Sequence, residues 1–202
     1  MSQLAEKIGP ADHGRRMSLA DFEHVETVEG RRYELGRGVI IVSEVPNPPH
    51  LAQVNALRFQ LTAYALAHPG RIYSIAGGGE CKILLSALDS ERHPDLAIYR
   101  TPPPGDESDV WYIWVPEIVI EVVSPDSEHR DYVDKREEYL AFGVLEYWII
   151  NADREEMLVL RRHGGRWAEQ PVRPPQTYST RRLPGLVLDG AAVFQAARAV
   201  RD

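Results

Sequence analysis

A run of β-branched residues near the middle of the chain constrains the fold more than any other feature. Residues 117–124 read EIVIEVVS, and such a nearly continuous apolar run is typical of a central strand buried on both faces. Residues 124–143 have the features of a helix that ends at Gly143, and residues 144–151 form the next buried strand. This succession predicts an α/β domain with a central mixed β-sheet flanked by helices.

The remaining segments fit the same domain. The length of 202 residues suits one α/β domain, and no internal repeat or long linker divides the chain. Residues 1–16 lack apolar periodicity, which predicts a flexible N-terminal tail before a single domain over residues 17–202. The further predicted elements are a short helix capped by Ser18, a helix over residues 50–68, a helix over residues 191–200, two strands within residues 31–45 joined by a turn at residues 36–38, strands over residues 71–76, 81–86 and 93–100, and a hairpin over residues 157–170. His50 is expected to cap its helix, and contact with substrate is the alternative.

Cysteine content and hydropathy exclude several classes of protein. Cys81 is the single cysteine, so neither a disulfide framework nor a cysteine-rich zinc site is expected. No apolar run approaches the ~20 residues of a membrane-spanning helix, and the first residues lack the apolar centre of a signal peptide. We therefore expect a soluble, cytoplasmic protein that does not contact a membrane.

Charge is unevenly distributed along the chain. The formal net charge is −7, which argues against coating of nucleic acid by charge alone. Residues 80–121, however, hold nine acidic and three basic residues, whereas residues 153–182 hold seven arginines and four acids. An acidic centre beside a basic edge is compatible with a metal site that faces a polyanion, and equally with an ordinary scatter of surface charge.

Glu121 lies in the middle of the central strand. A carboxylate there is energetically costly unless it is paired, hydrogen-bonded or bound to a metal ion. Val119 and Val123 share its face of the strand, so that face is not simply solvated. A salt bridge, or a position at a solvent-exposed strand end, is the alternative explanation.

Asp95 begins an alternating strand over residues 94–99. If this strand neighbours the central one, the two backbones lie ~4.8 Å apart, and carboxylates of Asp95 and Glu121 on one face would suit a single hard divalent cation. Without a cation they would repel each other, and one would stay protonated. Taken alone, Asp95 fits an ordinary turn or strand-entry aspartate better than a metal ligand.

Lys135 lies on the predicted helix that follows the central strand. Tyr132, Tyr139 and Phe142 share its helix face, so the lysine belongs to an aromatic stripe that should face the sheet. Its ammonium group then either meets a carboxylate site or extends to solvent. The alternative is an Asp131–Lys135 ion pair on a solvated face.

Together these segments resemble the Uma-two family of bacterial restriction-endonuclease-like proteins, within the PD-(D/E)XK nuclease superfamily. The resemblance implies a restriction-endonuclease-like core and a metal-dependent nuclease that acts on nucleic acid, with DNA as the expected substrate. It runs over roughly residues 17–194. The segments that carry it are PD at 94–95, E-x-V at 121–123, residues 124–151, RYEL at 32–35, PPH at 48–50 and LPGLVLD at 183–189.

The resemblance also implies roles for particular residues. Asp95 and Glu121 would hold Mg²⁺ or Mn²⁺, and Glu34 of the RYEL segment would reach the same ion. Lys135 would orient or deprotonate the attacking water. The superfamily places its lysine two residues after the second acid, where this chain has Val123, so the matching lysine comes from the following helix.

One departure from the family pattern leaves two functional classes open. Arg37-Gly38-Val39 stands where the family has an Asp-Gly-Glu turn, and the loss of two acids there would weaken or alter the metal site. The first class is an active nuclease. The second is a catalytically inactive protein that keeps the nuclease fold as a binding or assembly module.

A homodimer is the expected assembly. A nuclease of this size that cuts both strands of a duplex needs two active sites, and closed two-fold symmetry is the common solution. The proline-rich loop at residues 101–105, with Trp111 and Trp114 nearby, is the candidate interface.

Overall fold

The computed structural model describes residues 6–105 and 110–200, and no helix in these ranges has the length and apolar content to cross a membrane. Asp106, Glu107 and Asp109, counted above in the acidic centre, lie outside the described residues, as do residues 1–5 of the predicted tail. The strands and helices are, in chain order, β1 (Lys7–Ile8), α1 (Leu19–Phe22), β2 (Glu26–Thr27), β3 (Arg31–Gly36), β4 (Val39–Glu44), α2 (Pro48–Ala67), β5 (Ser74–Ala76), β6 (Ile83–Leu85), β7 (Ser90–Arg92), β8 (Leu96–Tyr99), α3 (Val110–Ile113), β9 (Ile118–Val122), α4 (Lys135–Phe142), β10 (Glu146–Asn151), β11 (Glu156–His163), β12 (Arg166–Val172) and α5 (Gly190–Arg198).

A six-stranded sheet forms the centre of the fold, in the order β12-β11-β10-β9-β8-β5. Strands β9 and β10 are parallel, and the other neighbouring pairs are antiparallel. Because a tight turn cannot join parallel strands, the chain crosses over between β9 and β10 through α4. The predicted α/β fold with a central mixed sheet and flanking helices is confirmed.

Alternate residues of β9 point into two separate cores. Its even-numbered residues pack with apolar side chains of α2 and α5. Val119, on the opposite face, packs in a second core with Tyr139 of α4. Glu121 follows Val119 at the two-residue spacing of one face, so its carboxylate lies on the side of the sheet that α4 covers.

A second sheet of four strands, in the order β4-β3-β7-β6, lies beside the first. Its β3–β4 hairpin is the one predicted within residues 31–45. Arg37 and Gly38 form the two-residue turn with φ values of 50° and 71°, the conformation that suits the twist of a hairpin. Strand β7 was not predicted, since three residues are too few to show a period of two.

The described part of the predicted N-terminal tail packs on this second sheet. Strand β1 pairs in parallel with β2, and Ile8 is buried in a core that includes Leu35 and Ile40. The Gly14 amide donates to the carbonyl of Ile40. Residues 6–16 therefore contact the domain through strand pairing and burial.

Candidate functional site

A cavity of about 410 Å³ lies where the start of β8, the end of β9 and the first turn of α2 meet. Asp95, Glu121 and Lys135 all line it, together with Glu34. The structure therefore brings together the four residues that the sequence predicts for one site. Their catalytic and metal-binding roles stay predictions.

Asp95 is positioned by the pairing of two strands. The register of β8 and β9 pairs Leu96 with Ile120, and one further step sets Asp95 opposite Glu121. Residues directly opposite each other point to the same face of a sheet, so both carboxylates face the cavity. Oδ2 of Asp95 accepts the backbone N–H of Val122 at 2.9 Å, which fixes the side chain against β9.

The other oxygen of Asp95 lies near two basic side chains. Arg32 Nη1 donates to Oδ1 at 3.3 Å, and Nε2 of His50 lies 3.1 Å from the same oxygen. Burial alone would raise the pKa of Asp95, but His50, Arg32 and Lys135 outweigh burial and lower it. Asp95 is therefore held ionised.

A glycine allows the close approach that places Asp95. A Cβ atom on Gly77 would lie 2.0 Å from the carbonyl oxygen of Asp95, far inside van der Waals contact. The next amide, of Gly78, donates to the carbonyl of Pro94 at 2.8 Å. The tight turn at residues 77–80 thus packs directly against the backbone of Pro94 and Asp95 and fixes its position.

Glu121 is in contact with a lysine and a tyrosine. Lys135 Nζ lies 2.9 Å from Oε1 of Glu121, and the hydroxyl of Tyr139 donates to the same oxygen at 2.6 Å. Burial raises the pKa of Glu121 to about 8 against the opposing charge of Lys135, and the carboxylates of Asp95 and Asp131 add to the rise. Glu121 therefore gives up its proton less readily than an exposed glutamate.

Lys135 joins Glu121 to Asp131, one helical turn earlier. Nζ of Lys135 lies 3.2 Å from Oδ1 of Asp131, and Oγ of Ser127 donates to Oδ2 of Asp131 at 2.6 Å. Burial opposes the charge of Lys135, but the carboxylates of Glu121, Glu34 and Asp131 outweigh burial and raise its pKa. The Asp131–Lys135 pair exists, but it lies inside the protein rather than on a solvated face.

A π-helical turn over Arg130–Asp134 leads into α4 and carries Asp131. Such turns are rare and occur frequently at functional sites. The turn places the side chains of Asp131 and Lys135 on the cavity together. Burial raises the pKa of Asp131, which adds a second weakly compensated acid to the site.

Glu34 lines the cavity with both of its oxygens engaged. Oε1 accepts the backbone N–H of His93 at 3.0 Å, and Oε2 accepts Nη1 of Arg92 at 3.3 Å. Burial would raise the pKa of Glu34, but Lys135 and Arg92 hold it well below the usual range. As it stands, Glu34 serves as an anchor for Arg92.

The donor set of the cavity fits a divalent cation. Asp95 and Glu121 supply carboxylate oxygens on neighbouring strands, and oxygen ligands of this kind suit a hard divalent cation. In the described ranges, no three His, Cys, Asp or Glu side chains converge on one point as the ligands of a metal ion would. The basic side chains of Lys135 and Arg32 occupy carboxylate oxygens instead.

Sequence reasoning missed three features of the site. Asn47, not His50, caps α2, because its side chain accepts the His50 N–H at 3.0 Å; the expected capping role of His50 was wrong. The side chain of His50 is free to reach the cavity. Arg32 and the hydroxyl of Tyr139 were also not predicted, although alternation in the RYEL strand places Arg32 on the same face as Glu34.

Two acids on neighbouring strands of a mixed sheet, with a lysine on the crossover helix, define a restriction-endonuclease-like fold. The sequence model of the Uma2 family, described as "Putative restriction endonuclease", matches residues 19–191. The chain therefore belongs to the Uma2 family.

A solved structure has the same fold. It is described as the crystal structure of "a putative nuclease belonging to DUF820" from Anabaena variabilis ATCC 29413, and it superposes with a TM-score of 0.73. The sequence identity is 20%, over 90% of this chain and 99% of that one. A sequence comparison with curated proteins finds no match.

Proposed function

We propose that this chain is a divalent-metal-dependent nuclease that hydrolyses phosphodiester bonds, with DNA as its substrate. The contact of Lys135 with Glu121 inside an acidic cavity carries the proposal. A lysine and several acids at one cavity are the groups that phosphodiester hydrolysis requires. Membership of the Uma2 family, whose description is "Putative restriction endonuclease", supports the same activity.

Each residue of the site has a proposed role. Asp95 and Glu121 would hold Mg²⁺ or Mn²⁺, and Glu34 is the proposed third acid of the same cavity. When bound, the ion polarises the phosphodiester and lowers the pKa of a coordinated water. Lys135 orients the attacking water and compensates the charge that develops on the phosphoryl group. Arg32 lines the same cavity and supplies a donor for a phosphate oxygen.

We further propose that the protein acts as a homodimer. Trp111 and Trp114 pack against the core of their own chain, and Trp114 stacks on Tyr99 with ring centroids 3.8 Å apart. The outward face of α2, with Phe59 at 73% and Leu66 at 77% exposure, offers a second copy more apolar surface. Light scattering that shows only monomers at high protein concentration would reject the dimer.

A second function remains as the alternative, namely a catalytically inactive binding or assembly module. Two observations favour it. The carboxylates of Glu121 and Asp95 already contact Lys135 and Arg32, which leaves the site without a ready-made metal position. Arg37 of the altered turn forms a surface ion pair with Glu137 at 2.6 Å and contributes no acid to the cavity.

Metal titration combined with a cleavage assay separates the two functions. We expect Mn²⁺ to raise the melting temperature of the wild-type protein and Asp95→Ala to lose that rise. Lys135→Ala should keep metal binding but lose on the order of 10²–10⁴-fold in cleavage of duplex DNA. Arg136→Ala is the matched control, since Arg136 pairs with Glu169 at the surface and should leave cleavage unchanged.

Two results would contradict the nuclease proposal. Equal stabilisation of wild type and Asp95→Ala by Mn²⁺ would place the metal elsewhere. A wild-type protein that binds Mn²⁺ at Asp95 but cleaves neither DNA nor RNA would favour the inactive module.

A further inference from the structure

His50 is a buried histidine with no assigned role in the helix that carries it. It stands in the first turn of α2, whose cap is supplied by Asn47. Only 8% of the residue is exposed, and it lines the cavity together with Asp95. A polar ring so deeply buried normally has a partner for each nitrogen, because an unsatisfied one costs free energy.

The ring nitrogen Nε2 of His50 lacks such a partner. It lies 3.1 Å from Oδ1 of Asp95 but is not aligned for a hydrogen bond, and no other group among the described residues satisfies it. A protonated imidazole that served only as a counter-ion would turn its N–H toward the carboxylate. The ring lies close enough to help keep Asp95 ionised, but Arg32 already donates to the same carboxylate oxygen.

A close but misaligned pair is the geometry of two ligands that share one ion. Metal–nitrogen and metal–oxygen bonds are about 2.1 Å long, so ligands at right angles in an octahedral site lie roughly 3.0 Å apart. In that arrangement the lone pair of each ligand points at the ion and not at its neighbour. The separation of His50 Nε2 and Asp95 Oδ1 matches this edge.

We propose that Nε2 of His50 is a metal ligand alongside Asp95, and that the site therefore prefers a divalent transition-metal ion over Mg²⁺. This inference rests on the proposed metal-dependent function of the cavity. Mg²⁺ prefers oxygen ligands and retains several of its waters, whereas imidazole favours the first-row transition metals. A nitrogen ligand beside carboxylates thus selects between ions of equal charge.

Electron spin-echo spectroscopy of the Mn²⁺-loaded wild-type protein tests the ligand directly. A coordinated imidazole nitrogen modulates the echo of bound Mn²⁺, and oxygen ligands do not. We expect nitrogen modulation in wild type and its loss in His50→Gln. This spectroscopic measurement requires neither substrate nor catalytic activity.

Calorimetry tests the selectivity. We expect His50→Ala to lower the ratio of Mn²⁺ to Mg²⁺ affinity by on the order of tenfold or more, the usual scale for a group that tunes a metal site. His93→Ala is the matched control, because its Nε2 also lies close to a carboxylate, at 2.9 Å from Glu91, but it does not line this cavity. The ratio should be the same in His93→Ala as in wild type.

The outcomes separate this inference from the proposed function. Mn²⁺ binding that depends on Asp95 but shows no nitrogen modulation, with an unchanged affinity ratio in His50→Ala, would overturn the role of His50 and leave the nuclease proposal standing. Absence of any divalent-ion binding by wild type would overturn both.

Discussion

Two buried groups of charged side chains differ in how well donors satisfy their carboxylates. In the first, the Arg92 cluster, Arg92 donates through Nε and Nη2 to the two oxygens of Glu138 and through Nη1 to Glu34. Ser90 adds its hydroxyl to Glu138 at 3.0 Å. Although burial opposes ionisation of Glu34, Lys135 and Arg92 keep its pKa low. Each carboxylate oxygen of Glu138 and Glu34 therefore accepts a hydrogen bond from a fixed donor.

The second group, the cavity cluster, consists of Asp95, Glu121, Asp131 and Lys135. Its single lysine is shared between Glu121 and Asp131, and the pKa values of both acids are raised, chiefly by burial. Burial alone therefore does not distinguish a functional site from a structural ion pair. The number of donors for each acid differs, because one lysine serves both Glu121 and Asp131, whereas each carboxylate oxygen of Glu138 has its own donor.

The largest stability effect should come from breaking the Arg92 cluster. Arg92→Met leaves Glu138 and Glu34 buried without their guanidinium, and loss of one partner of a buried ion pair costs about 3–5 kcal/mol. Urea unfolding should show a loss of this size. The control Arg136→Met, which breaks only the surface pair with Glu169, should cost less than about 1 kcal/mol. Similar small losses in both variants would erase the contrast between the two clusters.

A smaller loss of stability is expected from substitution of Gly77, which packs against the backbone of Asp95. In Gly77→Ala the new methyl group would lie 2.0 Å from the Asp95 carbonyl, so the backbone of Asp95 must move. Overpacking of this kind costs about 1–3 kcal/mol, and we expect the Mn²⁺-induced rise in melting temperature to disappear as well. Gly79→Ala is the control, because a Cβ there meets nothing within 4 Å. A retained Mn²⁺ response in Gly77→Ala would show that the position of Asp95 is unimportant.

The centre of the fold and most of the cavity cluster could be predicted from sequence. Residues 117–124 carry a strong apolar pattern, and a carboxylate in such a strand is conspicuous because burial makes it costly. Asp95 and Lys135 lie within 30 residues of this strand, on its sheet neighbour and its crossover helix. Local periodicity indicated these elements, and the family resemblance implied that the three residues share one site.

The contacts that close the site could not be predicted, because they depend on distant segments. Arg32 reaches Asp95 across 63 positions, and His50 approaches it from another helix. The Asp131–Lys135 spacing is the same on a solvated face and on a buried one, so only the packing of α4 decides between them. The buried β1 segment likewise depends on pairing with β2, and two residues are too few to show the alternating pattern of a strand in the sequence.

The third expected effect is the dependence of metal-free stability on pH. The pKa of Glu121 in the folded protein is about 8, above the ordinary value of 4.5. A raised pKa means that the folded state holds a proton which the unfolded state has already released, so stability is highest below the ordinary value and falls as pH rises through 8. The slope should not exceed the ~1.4 kcal/mol per pH unit that corresponds to one full proton. Glu121→Gln should remove the slope, since its amide oxygen still accepts from Tyr139 and Lys135 but does not titrate. Unfolding in EDTA from pH 5 to pH 9 measures this, with Glu169→Gln at the surface as the control. A wild-type protein whose stability is flat, or rises with pH, over this range would contradict this prediction. It would show that Lys135 fully offsets the effect of burial on the Glu121 carboxylate, and that the acids of the cavity cluster are as well satisfied as those of the Arg92 cluster.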